Sequence, residues 1–271
     1  MDEFLSANRA LWDELALINA RSKFYDVDQF KAGARSLHPL ELEELGEVRG
    51  RSVLHLQCHF GLDTLSWARL GAQVTGVDFS SQAIALARRL SQECQIPARF
   101  IESNLYDLPD ILDERFDIVY TSYGVLTWLP DLPGWAQIVA HFLKPGGVFY
   151  IAEFHPTAML FDETADALRL KYPYFSEQPV VCEVQGSYAD RQAEVKQPVS
   201  YEWVYPLGQV VTSLISAGLQ LEFLHEFPFT VYQALPFLEQ GADGYWHLPG
   251  NDADKLPLMF SIKARTATDG V

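Results

Sequence analysis

The chain has 271 residues, 48% hydrophobic and 21% charged, which excludes a disordered chain and accommodates one large α/β domain. A formal net charge of −16 opposes a nucleic-acid partner, because phosphates would be repelled at long range. The opening Met1-Asp2-Glu3-Phe4-Leu5 lacks the basic and apolar regions of a secretion signal, and no apolar run approaches the roughly 20 residues of a bilayer span. The expectation is therefore a cytoplasmic protein without a membrane partner, a monomer or homodimer, with Cys58, Cys94 and Cys182 as free thiols.

In chain order, residues 1–48 read as a helical preface. Short runs rich in β-branched and aromatic residues then follow at 52–57, 73–78, 98–102, 116–121 and 148–153. Their hydrophobicity is too continuous for a sheet with one wet face, as expected of parallel strands covered on both sides. Helical stretches lie between them at 63–70, at 80–94 with Ser80 or Ser81 as N-cap, and at 135–143 before Lys144-Pro145-Gly146-Gly147. Ile84, Leu86, Ala87 and Leu90 give the second of these a sheet-facing stripe. Later strand-like pieces stand at 180–184 and 199–204, then a helix at 208–217 and two last strands at 219–227 and 256–264. The stretch 230–254, rich in Pro, Gly and aromatics, reads as an ordered loop.

This alternation implies an α/β fold, a three-layer sandwich around a mostly parallel sheet, in one domain spanning 1–271. Residues 51–153 would form its cofactor-binding core, with 154–206 and 230–254 inserted over the substrate side. In such sheets ligands sit beyond the carboxyl ends of the strands, so the first strand-to-helix turn, Gln57-Cys58-His59-Phe60-Gly61, is the place to look. About twenty residues on, the second strand ends in Asp78, where a carboxylate can accept from both hydroxyls of a ribose. A pyrophosphate would require glycines where Gln57 and His59 stand, so a nucleoside without phosphates is the better fit. His55, Cys58 and His59 do not suggest a metal, since strand alternation sends His55 and Cys58 to opposite faces.

These segments resemble the motifs of class I, Rossmann-like S-adenosylmethionine-dependent methyltransferases. Val53-Leu54-His55-Leu56-Gln57-Cys58-His59-Phe60-Gly61 is similar to their first motif, V-L-D-L-G-C-G-x-G, as a variant reading L-Q-C-H-F-G. The second motif is matched by 71–80, the third region by 100–109, the fourth by 116–126, and the turn before strand five by 143–147. The resemblance covers 51–153 and implies a seven-stranded sheet with an antiparallel last strand and S-adenosylmethionine as cofactor. It implies that Asp78 holds the ribose, Phe79 covers an adenine face, Asn104 and Leu105 meet the adenine edge, and Thr121 approaches the methionine part. Gln57, His59 and Gly61 would form the turn beneath that part, and Tyr25 would close over it.

Methyl transfer from a sulfonium is an in-line displacement that depends on positioning and exclusion of water. The acceptor, taken to be a small molecule with nitrogen or oxygen as the receiving atom, would lie beyond strands four and five. There stand Tyr123, Trp128, Glu153 and His155, with Tyr201, Trp203, His225 and Trp246 from later segments and Trp12, Phe24 and Tyr25 from the preface. His155, held extended by Pro156, reads either as a general base or as a hydrogen-bonded rim histidine. Trp128, Trp203 and Trp246 read as an aromatic wall for a flat or cationic acceptor, or simply as core. Two competing functions remain: a catalytically idle cofactor-binding module and a nucleotide-dependent oxidoreductase.

Overall fold

In the computed structural model, which describes residues 3–267, a seven-stranded sheet runs in the order β3-β2-β1-β4-β5-β12-β8. Its strands are β1 (Ser52–Leu56), β2 (Gln73–Asp78), β3 (Arg99–Glu102), β4 (Phe116–Ser122), β5 (Leu143–Phe154), β8 (Gln220–Phe227) and β12 (Met259–Arg265). The β1, β2, β3, β4 and β5 ladder is parallel throughout, whereas β12 runs antiparallel to both β5 and β8. This is the expected Rossmann-like fold, with the order reversing between β1 and β4.

Strand alternation builds a core on each face. Leu54 and Leu56 of β1 and Val119 of β4 point into a cluster with Trp135 and Phe142 of α6 (Leu132–Phe142) and Leu214 of α7 (Leu207–Ser216). Val53, Ile118 and Tyr120 point the other way, toward Trp67 of α4 (Leu62–Arg69) and Leu45 of α3 (Pro39–Leu45). The helix α5 (Ser81–Glu93) is capped by Ser80, whose hydroxyl accepts from Ala83 N at 3.1 Å, and buries Ile84, Leu86, Ala87 and Leu90. The α6 helix begins three residues before the expected 135. Asp131 caps it and Pro133 fits the first turn, where a missing N–H costs nothing.

The preface comprises α1 (Glu3–Asn19), α2 (Val27–Lys31) and α3. The strand-like pieces of the first insertion, β6 (Val180–Glu183) and β7 (Val199–Glu202), pair as an antiparallel hairpin outside the main sheet. The hairpin meets the sheet's carboxyl edge through Trp203 N, which donates to Thr127 O at 2.8 Å. The segment 230–254 is more ordered than a loop. It carries β10 (Glu239–Gln240) and β11 (Trp246–His247), which extend β9 (Phe229–Thr230) into a small antiparallel sheet. Among the described residues no helix is long and apolar enough to cross a membrane.

Glu41 of α3 is fully buried against the sheet, accepting from Tyr120 Oη at 2.5 Å and from His38 N at 2.7 Å. Burial, reinforced by the nearby Asp63 charge, raises its pKa from 4.5 to about 8 despite these two bonds. The folded protein thus keeps a proton that the unfolded chain releases. The corresponding stability is complete below about pH 4.5 and is lost as the pH rises toward about 8. A Glu41→Gln variant should therefore show a higher Tm than the parent at pH 8 and a similar one at pH 5. Thermal melts giving parallel profiles for the two proteins would contradict this.

Candidate functional site

A cavity of about 750 Å³ opens beyond the carboxyl ends of β1, β2 and β4. Its floor is the turn after β1, where Gln57 (φ 55°), His59 (φ 51°) and Gly61 (φ 83°) all adopt the left-handed conformation. A side chain in that conformation costs on the order of 1 kcal/mol per residue, so something else must fix the turn. Gln57 Nε2 donates to Val125 O at 2.9 Å, and His59 N donates to Asp78 Oδ2 at 2.8 Å. Two side-chain polar atoms of this turn, Gln57 Oε1 and His59 Nε2, are buried without a hydrogen-bond partner among the described residues, and both residues line the cavity. Burial lowers the His59 pKa to about 3, so its imidazole is neutral.

Asp78 closes β2 and is nearly buried. Its second oxygen, Oδ1, accepts from Ser80 N at 2.9 Å. Desolvation raises its pKa to about 6, opposed by the N–H groups of Ser80 and His59. Each oxygen keeps lone pairs for a ligand hydroxyl. Phe79, Asn104 and Leu105 line the same end of the cavity. Asn104 also caps the 3-10 turn that follows, its Oδ1 accepting from Tyr106 N at 3.2 Å.

At the end of β4, Tyr123 (φ 43°) and Gly124 (φ 73°) curl the backbone around a second buried carboxylate. Glu153 accepts from the N–H groups of Gly124, Val125 (2.7 Å), Leu126 (3.0 Å) and Phe154 (2.7 Å). Burial raises its pKa against those four donors. A third carboxylate, Asp63 in the first turn of α4, accepts from Ser36 Oγ at 2.5 Å and Ser122 Oγ at 3.3 Å. Desolvation raises its pKa, opposed by the Ser36 bond and the nearby His38.

Of the residues singled out from the sequence, Tyr25, Gln57, His59, Gly61, Asp78, Phe79, Asn104, Leu105, Tyr123 and Trp128 all line this one cavity. Two do not. Thr121 is fully buried on the opposite face, its hydroxyl donating to Leu56 O at 3.1 Å, and the next residue, Ser122, takes the cavity position. His155 is likewise turned away, with Nδ1 2.9 Å from Thr157 Oγ1 and Nε2 3.0 Å from Glu226 Oε1 of β8. It is absent from the cavity wall and links β5 to β8 at the edge of the sheet.

Trp12, Phe24, Glu153 and Trp203 also face the cavity. Tyr201 instead packs against Phe4 with its ring tilted by 43°, His225 pairs with Glu44, and Trp246 joins a separate small core with Leu235 and Leu258. Unforeseen lining residues include Ser36, His38, Asp63, Tyr188, Glu202 and Tyr232. Asp63 had a legible signal, an acid in the first turn of a helix that starts at a glycine. Tyr188 and Tyr232 had none, because they stand in irregular inserts without periodicity.

Residues 54–151 match the family described as a methyltransferase domain. The matched segment contains the β1 turn, Asp78, Asn104 and the β4 end. A ubiquinone biosynthesis O-methyltransferase of Alkalilimnicola ehrlichii is 31% identical over 148 residues, 52% of this chain and 60% of that protein. This chain thus spans less than two thirds of that relative. Among solved structures, an S-adenosylmethionine-dependent methyltransferase from Listeria monocytogenes, itself a provisional assignment, superposes with a TM-score of 0.60 at 19% identity, over 84% of this chain and 95% of that one. The DhpI–SAH complex superposes with a TM-score of 0.56 at 16% identity, covering 97% of both chains. At these identities the superpositions establish the shared fold.

The glycine of the turn after β1 has no room for a side chain. A Cβ at Gly61 would lie 2.8 Å from the Phe100 ring and 3.0 Å from Ala87 Cβ. Gly61→Ala should therefore destabilise the protein by about 1–3 kcal/mol, combining overpacking with a left-handed alanine. Chemical denaturation should read this loss, and a midpoint equal to the parent's would refute it.

Proposed function

We propose that the protein transfers a methyl group from S-adenosylmethionine to a small-molecule acceptor. The observation that carries the proposal is Asp78. Its carboxylate lies at the end of β2 where the strand order reverses, fixed by two backbone N–H groups and open to the cavity. The methyltransferase-domain match across this segment, the O-methyltransferase relative and the shared fold support the same reading.

The residues present suit this cofactor. Asp78 would accept the two ribose hydroxyls, with Phe79 against an adenine face and Asn104 and Leu105 at its edge. The left-handed turn at Gln57, His59 and Gly61 would pass beneath the methionine part, where the unpartnered Gln57 Oε1 and His59 Nε2 offer polar contacts. Tyr25, whose hydroxyl is hydrogen-bonded to that of Tyr188, would cover it from the preface. A nicotinamide dinucleotide fits worse, since its pyrophosphate needs bare backbone where Gln57 and His59 carry side chains. The sulfonium supplies an activated methyl carbon. The chain supplies alignment and a dry enclosure, for which we assign 154–206 and 230–254 as the substrate-side cover.

Calorimetry should show binding of S-adenosylmethionine and of its demethylated product, and none of a nicotinamide dinucleotide. Asp78→Asn, checked for folding by circular dichroism, should weaken both by roughly 10- to 100-fold, the worth of one or two hydrogen bonds to a charged group. Absence of binding by the parent protein, or equal affinity for the dinucleotide, would sink the proposal.

A further inference from the structure

The wall of the cavity is rich in acidic side chains. It carries the carboxyl groups of Asp26, Asp63, Asp78, Glu153 and Glu202 against a single guanidinium, that of Arg35. Four of the five acids are bound locally. Asp26 accepts from Gln29 N at 3.2 Å in capping α2, Asp78 and Glu153 accept backbone N–H groups, and Asp63 accepts two serine hydroxyls. Glu202 differs. At the end of β7 it is half-buried and forms no ion pair among the described residues; its carboxylate accepts from Ser200 Oγ at 2.7 Å and from the Cys182 thiol.

Glu202 faces the cavity from the same strand end as Trp203, whose N–H is bonded to Thr127 O. Close by, Trp128 meets Trp12 edge to face at 5.1 Å. A further polar atom on this wall, Thr127 Oγ1, is buried and lacks a hydrogen-bond partner among the described residues. A carboxylate, indole rings and an unpartnered hydroxyl around the cavity favour a ligand that brings positive charge and N–H donors. An anionic ligand would add a second uncompensated charge beside the first.

Resting on the methyl-transfer reading above, we propose that the acceptor is a basic amine, held by its nitrogen against Glu202 between the tryptophans. In the reaction the bound ammonium gives one proton to the Glu202 carboxylate. The freed nitrogen lone pair then forms the N–C bond to the methyl carbon, while the S–C bond breaks and its electron pair stays on sulfur. The product leaves as the methylated ammonium, and Glu202 returns its proton to solvent. Desolvation, which raises the Glu202 pKa, suits it to receive that proton.

The test uses the full-length protein saturated with the demethylated cofactor product, at neutral pH, and three isosteric probes: 2-naphthylmethylamine, 2-naphthylmethanol and 2-naphthoate. Quenching of tryptophan fluorescence should show the amine binding at least about tenfold tighter than the alcohol, with 2-naphthoate weakest. Glu202→Gln should reduce the amine to the affinity of the alcohol and leave binding of the cofactor product unchanged. An amine bound no tighter than the alcohol, a preference for 2-naphthoate, or no binding of any probe would overturn the proposal. The two readings fail separately: loss of cofactor-product binding by the parent refutes methyl transfer, whereas retained binding without amine preference refutes only the acceptor class.

Discussion

Two strand-end turns that are far apart in sequence meet on one carboxylate. Asp78 accepts from His59 N in the turn after β1 and from Ser80 N at the head of α5, so it fixes the floor of the cavity from both sides. The left-handed conformations of Gln57 and His59, unfavourable in isolation, are tolerated because this bond and the Gln57 contact to Val125 O hold them. Burial costs Asp78 part of its acidity, and the two N–H donors keep that cost within bounds. Everything assigned to the cofactor side depends on this junction.

Glu153 repeats the device one strand pair away. Four convergent N–H groups neutralise it and impose the curl at Tyr123 and Gly124, which presents Tyr123, Thr127 and Trp128 to the cavity. Buried carboxylates here act as fasteners for irregular backbone at the points where strands stop and the ligand site begins. Glu202 differs in accepting from side chains, Ser200 Oγ and the Cys182 thiol, in place of backbone N–H groups.

The cover over the site is assembled from three separate segments. Tyr25 of the preface, Tyr188 of the first insertion and Tyr232 of the second meet through ring contacts, with the Tyr25 and Tyr188 hydroxyls bonded. Asn19 of α1 donates to Tyr188 Oη at 3.2 Å, and Asn8 exchanges two bonds with Tyr201 across β7. The enclosure therefore depends on tertiary contacts between pieces that share no local sequence pattern.

Hydrophobic periodicity alone determined the five parallel strands, the helices between them, and Asp78 at a strand end, because burial on two faces writes itself into every second or third residue. Turn chemistry marked Gln57, His59 and Gly61, although only the structure shows that the two non-glycines keep the left-handed conformation. Tertiary structure alone decided which way side chains at strand ends face. A one-residue difference sends Thr121 into the core and Ser122 into the cavity, and the β8 and β12 edge draws His155 away to Glu226. It also decided part of the cavity wall: Glu202, Tyr188 and Tyr232 reach the cavity only because distant chain segments fold back over it, and no local spacing encodes such an approach.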